Sequence, residues 1–385
     1  TALAGTVYGM HGVSIPSTYT RTLYFGKGTE DTTTWVTTTN GTTLTNNTTA
    51  TRPANFDKYA DENNERDARR VAAFRNYLVY PGNDYTQDTD NPEIIVWDGT
   101  TTQVMTEIPR SPVGNGNPPY AITDFLVANG LIYLAVHDPG GTGANIAGRV
   151  LSLNVETGQM KQIATGFGPG TGEVTGGQPS CLAWYQDQIW AGLNGSATTD
   201  GIGKVVRCYP DIDTAWTTDV SNLRSHISTM AVFKGDLYAG TQSSVSAGAT
   251  ITKRTATTGA WTTQVTSGAG AGGNGHYASM LVDGATAVYC VEYHATTPII
   301  NILRSTDGTT WSTDRDADAN DTVVAGNLPG NSILFDVDDA FYFVFRSTTA
   351  SANNGVVVKR TSGGTYSTFS TDNFSGPAIV LTVIT

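Results

Sequence analysis

A chain of 385 residues with a formal net charge of −12 is long enough for two or three ordinary domains and too acidic for a phosphate-binding surface, whose footprint is basic. No nucleic-acid partner is expected. No run approaches the ~18 apolar residues of a bilayer-spanning helix, and three cysteines are too few for a disulfide scaffold.

The 43 glycines, with abundant Thr, Asn and Asp, point to many short strands joined by turns. Cys181, Cys208 and Cys290 all fall in predicted strands and read as buried thiols. Thr1 begins without a charged and apolar leader, so the expectation is a protein either unsecreted or already processed.

In chain order, residues 5–43 supply a partial first unit: Thr6–Met10, Arg21–Gly26 and Thr34–Thr38, the last ahead of an Asn40-Gly41 turn. Leu44–Arg70 follows, dense in charge from Asp57 to Arg70 and poor in apolar residues. It reads as a solvated loop or a partner-docking arm. The remaining units run over residues 71–108, 124–166, 181–220, 229–268, 279–316 and 332–370. The stretch from Ser279 to Asp314 shows one whole unit. Met280–Asp283 and Ala287–Tyr293 are split by a tight Asp-Gly turn, then come Ile299–Ser305 and Thr310–Thr313.

The units repeat about an apolar-aromatic second strand. Its anchors are Val79, Tyr133, Trp190, Tyr238, Tyr289 and Tyr342, at separations of 54, 57, 48, 51 and 53. A four-stranded unit of this period is one blade of a β-propeller. Near the start, Tyr8 has the anchor pattern with no first strand before it, and Ala378–Ile384 at the far end is a strand with nothing after it. Counted through the termini, Tyr342 to Tyr8 is again 51 residues. The expected fold is therefore all-β: one domain over residues 1–385, a seven-bladed β-propeller closed by the C-terminal strand joining the N-terminal blade.

Loop lengths are asymmetric. Turns between first and second strands are a few residues long, whereas His137–Ala147, Asn194–Gly203, Gly240–Ala249 and Arg346–Gly355 are long, as are the connections between units. Alternate connections of an up-and-down sheet leave opposite ends, so all the long loops share one face, where binding is expected. The five histidines map there too. His11, His137 and His294 lie just beyond second strands, and His226 and His276 sit four residues before Met230 and Met280. Gln178 occupies the matching slot before Leu182. Gln178, His226 and His276 are candidates to line a channel mouth, as a transition-metal site, as acid–base groups or as plain polar caps.

Arg304–Trp311, RSTDGTTW, resembles the Asp-box hairpin of sialidase-like propellers, carried here by Ser305, Asp307, Gly308, Thr310 and Trp311. The resemblance implies a structural turn away from the active face, with Asp accepting backbone N–H bonds and Gly permitting positive φ. The sialidase Phe-Arg-Ile-Pro-like motif is missing, and no hydrolase, zinc-protease or Walker motif is present. Asp314, Asp316 and Asp318 alternate as in the first half of a calcium loop, although Ala319 stands at the turn-glycine position. No cofactor is required; Ca2+ or a transition metal are the candidates.

The acidic, Thr/Gly/Asn-rich composition and diverged blades resemble the propellers of tailed-phage particles. That resemblance implies a non-enzymatic structural or attachment component of a virion, partnered by neighbouring subunits or a host surface glycan. The alternatives are a secreted glycan-binding lectin and a metal-dependent or sialidase-like enzyme.

Overall fold

The computed structural model describes residues 22–27, 34–43, 45–47, 72–75, 77–82, 93–97, 102–109, 121–137, 148–164, 167, 177–194, 203–243, 248–267, 275–294, 299–321, 327–335, 337–347, 356–370 and 378–384. The fold is all-β and propeller-like. In chain order the strands are β1 (Thr22–Lys27), β2 (Thr34–Thr38), β3 (Thr45–Asn47), β4 (Ala72–Phe74), β5 (Tyr77–Gly82), β6 (Glu93–Trp97), β7 (Thr102–Glu107), β8 (Ala121–Ala128), β9 (Leu131–His137), β10 (Gly148–Leu153) and β11 (Met160–Gln162). Then come β12 (Gln178–Tyr185), β13 (Gln188–Asn194), β14 (Gly203–Cys208), β15 (Thr217–Leu223), β16 (His226–Phe233), β17 (Asp236–Gln242), β18 (Thr250–Arg254), β19 (Trp261–Thr266), β20 (Gly275–Asp283), β21 (Ala287–His294), β22 (Ile299–Ser305) and β23 (Ser312–Asp316). A single turn of helix, α1 (Ala317–Asn320), precedes β24 (Asn327–Phe335), β25 (Ala340–Ser347), β26 (Val356–Thr361), β27 (Tyr366–Ser370) and β28 (Ala378–Ile384).

Pairing is antiparallel throughout. Four-stranded sheets form from β4–β7, β8–β11 and β24–β27, and another has the order β28-β1-β2-β3. The strands β12 to β23 form one twelve-stranded sheet, in which the groups β12–β15, β16–β19 and β20–β23 are joined by single residue pairs, Asn194 with His226 and Gln242 with His276. The first strands of successive groups pack beside one another from β4 through β8, β12, β16, β20 and β24 to β28, and β28 in turn lies beside β4.

The burial pattern explains the sequence pattern. Second strands such as β13 (QIWAGLN) and β21 (AVYCVEYH) are buried at every position because a sheet lies against each face. They therefore read as continuous apolar runs rather than alternating ones. Fourth strands are at the outside, and β15 (TTDVSNL) is correspondingly polar and largely exposed. The core is accordingly divided into layers between sheets. Tyr289, Val291 and Tyr293 face the β24–β27 sheet, while Val288 and Cys290 of the same strand face β16–β19. The anchor aromatics Tyr133, Trp190, Tyr238, Tyr289 and Tyr342 are among the largest fully buried side chains, each contributing about 1.5–3 kcal/mol relative to exposure. The three cysteines are buried thiols outside any disulfide, as expected.

Two boundaries differ from the sequence reading. The C-terminal strand does join an N-terminal one, but β28 pairs along Thr22–Lys27, with Thr22 opposite Ile384 and Lys27 opposite Ala378. Arg21–Gly26 is thus the second strand of its sheet, not the third, and Thr6–Met10 lies outside the described residues. The period through the termini failed as a guide because the first unit is shifted by one strand. For the same reason the fourth strand, β3, lies inside the segment assigned to an arm. Residues 44 and 48–70 of that segment lie outside the described residues.

Candidate functional site

The first strands of five of the groups share a local irregularity that positions the side chains between neighbouring groups. In β8, β12, β16, β20 and β24 the register against the second strand shifts once, between Ile122 and Asp124, Pro179 and Cys181, Ile227 and Thr229, Tyr277 and Met280, and Pro329 and Ser332. Such bulges re-aim a side chain and free its backbone from the ladder. The freed hydroxyls cross to the next unit. Thr123 Oγ1 donates to the Pro179 carbonyl at 2.5 Å, Ser180 Oγ to Ile227, and Ser228 Oγ to Tyr277 at 2.5 Å. The following residue adds a second crossing. Asp124 Oδ2 accepts from Leu182 N at 2.7 Å, and Thr229 Oγ1 accepts from Met280 N at 3.1 Å.

Beside these crossings lies a partly open chamber of about 180 Å3. Its polar lining comes from Asp124, Thr229, Ser279 and Ser332, and its apolar lining includes Phe125 and Met280. Ser332 stands in the register position held by Phe125, Leu182, Met230 and Met280 in the other units, so one small residue replaces a bulky one there.

The sequence placed Gln178, His226, His276, His137 and His294 at one end of the sheets, and the strand ends agree. Gln178 pairs with Asn194, His226 with Gln242, and His276 with Tyr293, all at the end where the inner strands begin; His137 and His294 end β9 and β21 at that same level. The chamber residues follow three to four positions further along the inner strands, roughly 10 Å deeper at ~3.3 Å per residue. His226 is buried, and Gln178 and His276 are half-buried. His11 lies outside the described residues, as do the long connections 138–147, 195–202 and 244–247.

His294 belongs to a different environment from the one expected. Its ring is buried and lies 3.3 Å from Glu292 Oε1, where the Tyr277 hydroxyl also donates at 3.4 Å, while Asn301 Nδ2 donates to Glu292 Oε2 at 3.0 Å. Strand alternation is the reason. Residues two apart share a face, so His294 follows Glu292 and Cys290 into the gap toward β16–β19 rather than toward the level of Gln178, His226 and His276. Burial by itself would push the Glu292 carboxyl up, but hydrogen bonds from His294, Asn301 and Tyr277 outweigh it and hold the group below its ordinary value.

The acidic string is dispersed rather than gathered. Asp314 accepts from Arg360 Nε at 2.9 Å and Tyr366 OH at 2.6 Å, Asp316 caps α1 through Ala319 N at 3.0 Å, and Asp318 accepts from Ile300 N at 2.8 Å. Among the described residues no group of three His, Cys, Asp or Glu side chains is arranged to hold a metal. Alternate side chains of a strand end and a helical turn diverge, which is why the spacing did not produce a ligand shell.

The Asp-box hairpin takes the geometry its residues imply, at the opposite end of the sheets from the histidines. Asp307 Oδ1 accepts from Thr309 N at 2.8 Å and Thr310 N at 2.7 Å, and Ser305 Oγ accepts from Gly308 N at 2.8 Å. The backbone bonds from Thr310 and Thr309 hold the Asp307 carboxyl well below the usual carboxylate range. Gly308 has φ +76°, and Trp311 meets Tyr238 edge-on, with ring centroids 6.4 Å apart. A second copy escaped the sequence reading. Asn40 Oδ1 accepts from Thr42 N at 2.9 Å and Thr43 N at 2.8 Å, with Gly41 at φ +66°. Thr39-Asn40-Gly41-Thr42-Thr43 aligns with Thr306–Thr310, with the amide doing the work of the carboxylate.

Sequence reasoning also missed Asp124 and Glu292. The available signal was one acid inside an otherwise apolar run, in AITDFLVA and AVYCVEYH.

No protein-family model and no curated protein sequence matches the chain. Among solved structures it is similar to a glycoside hydrolase family 74 xyloglucanase from Xanthomonas campestris, at TM-score 0.51 and 14% identity, over 91% of this chain and 52% of that one. It is also similar to a quinonprotein alcohol dehydrogenase-like protein from Bacteroides thetaiotaomicron, at TM-score 0.49 and 9% identity over 94% and 77%, and to an α-L-arabinofuranosidase from Fusarium graminearum, at 0.43 and 10% over 78% and 90%. The chain spans about half the length of the xyloglucanase. At this identity the likeness concerns the fold, which is that of a β-propeller.

Proposed function

We propose that the protein is a carbohydrate-recognition propeller: one closed ring of seven four-stranded blades that binds a glycan at the histidine-bearing end of its channel without cleaving it. The observation that carries this reading is the chamber below that end, where Asp124, Thr229, Ser279 and Ser332 present oxygen atoms beside the apolar Phe125 and Met280. Sugars need both, hydroxyl partners around the ring edge and apolar surface against the C–H face. The fold likeness to a xyloglucanase supports the same substrate class. On a glycan array the purified protein is expected to bind a restricted set of oligosaccharides, and His226→Ala with His276→Ala to weaken that binding. Absence of binding to any glycan overturns the reading.

The composition supports a second reading, that the ring serves as a structural or attachment component of a phage virion and meets neighbouring subunits or a host surface glycan. Native mass of the assembly separates the two, since a free monomer excludes the virion role. Ring closure has its own test. Removing 378–385 should expose the edge of β1 and uncover the surfaces of β24 and β25 that pack on β28, and lower the melting temperature sharply; a change of about a degree or two would break the closed-ring reading.

A further inference from the structure

The chamber is walled at one level by a single side chain from each of five units. Phe125, Leu182, Met230, Met280 and Ser332 hold the same register position, so four bulky apolar groups and one hydroxyl face a common space. One residue earlier stand Asp124, Cys181 and Thr229, and their polar atoms serve the fold. Asp124 Oδ1 accepts from Phe125 N at 2.9 Å and its Oδ2 from Leu182 N at 2.7 Å, Cys181 Sγ lies 3.6 Å from the Ile227 carbonyl, and Thr229 Oγ1 accepts from Met280 N at 3.1 Å. The Ser332 hydroxyl differs from these, being buried without a hydrogen-bond partner among the described residues. No lysine or arginine lines the chamber, whose 180 Å3 leave room for about one six-membered sugar ring. It therefore offers a broad apolar wall and one hydroxyl that awaits a bond.

We infer that the chamber is a subsite for a neutral 6-deoxyhexose, with a ring hydroxyl on Ser332 Oγ, the C6 methyl among Leu182, Met230 and Met280, and the remaining hydroxyls at the open side. This rests on the carbohydrate-recognition reading and narrows it to one class of sugar. A methyl group satisfies the apolar wall as it stands. The hydroxymethyl group of an ordinary hexose would bury a hydroxyl there against side chains that cannot bond it, and a buried polar group left unpaired costs its lost hydration. An apolar pocket rejects an added hydroxyl by about a hundredfold at most, which sets the scale of the preference.

Titration calorimetry on the full chain tests the inference with three matched pairs, L-fucose and L-galactose, D-fucose and D-galactose, and L-rhamnose and L-mannose, each differing by that one hydroxyl. In at least one pair the deoxy sugar is expected to bind at least about tenfold more tightly. Met230→Gln keeps a long unbranched side chain at a half-buried position and supplies an amide to pair the extra hydroxyl, so the preference should fall below about threefold. Ser332→Met copies the residue at the equivalent position of two other units, fills the chamber and should remove binding of both members of the pair. Melting temperatures near that of the parent protein identify the variants as folded, and the matched pairs on the parent protein decide the question where a variant does not fold. Equal affinity within every pair, tighter binding of the hydroxymethyl sugars, a preference unchanged in Met230→Gln, binding unchanged in Ser332→Met, or binding of none of the six sugars overturns the inference. Array binding of other glycans alongside such a failure overturns only the deoxy-sugar assignment, whereas an empty array overturns the recognition reading itself.

Discussion

Two junctions between neighbouring sheets solve the same problem differently. In both, a buried aromatic of one unit must be covered by the next. Over Trp190 the cover is charged: Arg254 Cζ stands 4.8 Å from the ring centroid, and its guanidinium is held by Asp219, which also accepts from Arg207 and from Trp261 Nε1. Tyr289 is covered in the same way by Arg360, 5.0 Å above the ring and bound to Asp314. Over Tyr238 the cover is a bare backbone turn, with Gly308 of the Asp-box packed on the phenol and Trp311 against its edge. Tyr342 meets the Asn40-Gly41 turn likewise, its hydroxyl donating to the Gly41 carbonyl at 3.3 Å and to Asp338 at 2.7 Å.

The difference concerns how each cover tolerates change. The arginine cover depends on buried charges that must stay matched, since the Arg254 and Asp219 side chains are only 10% and 8% exposed. The glycine cover depends on the absence of an atom. A Cβ at Gly308 would overlap the Tyr238 hydroxyl, and the positive φ disfavours any side chain there.

The largest expected effect therefore falls on the charged cover. Asp219→Ala leaves the buried Arg254 without its carboxylate, and the part-exposed Arg207 with it, and should cost about 3–5 kcal/mol in denaturant unfolding. A loss below about 1 kcal/mol would mean that the aromatic stacking, not the ion pair, holds that junction. Gly308→Ala should cost about 2–3 kcal/mol through backbone strain and overlap. Combining it with Tyr238→Phe removes the colliding hydroxyl and should recover about 1 kcal/mol; strict additivity of the two changes would show that the overlap is not the source.

Between these two kinds of cover, the gap facing β16–β19 carries a buried acid of its own. The Glu292 carboxyl sits below its ordinary value of 4.5, so its contribution to stability is fully present above that pH and is lost as pH falls through the folded value. Glu292→Gln should lower stability by about 1–3 kcal/mol at pH 7 and flatten the acid limb of a melting curve measured against pH. An unchanged acid limb would show that Glu292 titrates as it does in the unfolded chain. The smallest effect is expected at Ile212, 77% exposed on a turn, where Ile212→Ser should change stability by no more than about 0.5 kcal/mol.

What the sequence determined by itself is whatever a few consecutive residues can settle. The aromatic anchors were legible because a strand between two sheets must be apolar on both faces, and the Asp-box was legible because Asp307, Gly308 and their neighbours bond within three positions. The common end for His137, His226, His276 and His294 followed from the alternating direction of successive strands alone. Tertiary structure decided everything that joins one unit to the next. Asp219 and Arg254 are 35 residues apart, and Asp124 and Leu182 are 58. Their meeting depends on which face of each sheet turns toward its neighbour and on bulges that shift the register by a residue, neither of which composition or period records. The same dependence moved His294 into the gap between sheets, dispersed Asp314, Asp316 and Asp318, and paired the C-terminal strand with Thr22–Lys27. A one-residue shift sends every following side chain to the other face, so the chamber behind Asp124 and Ser332 exists only once the sheets have packed.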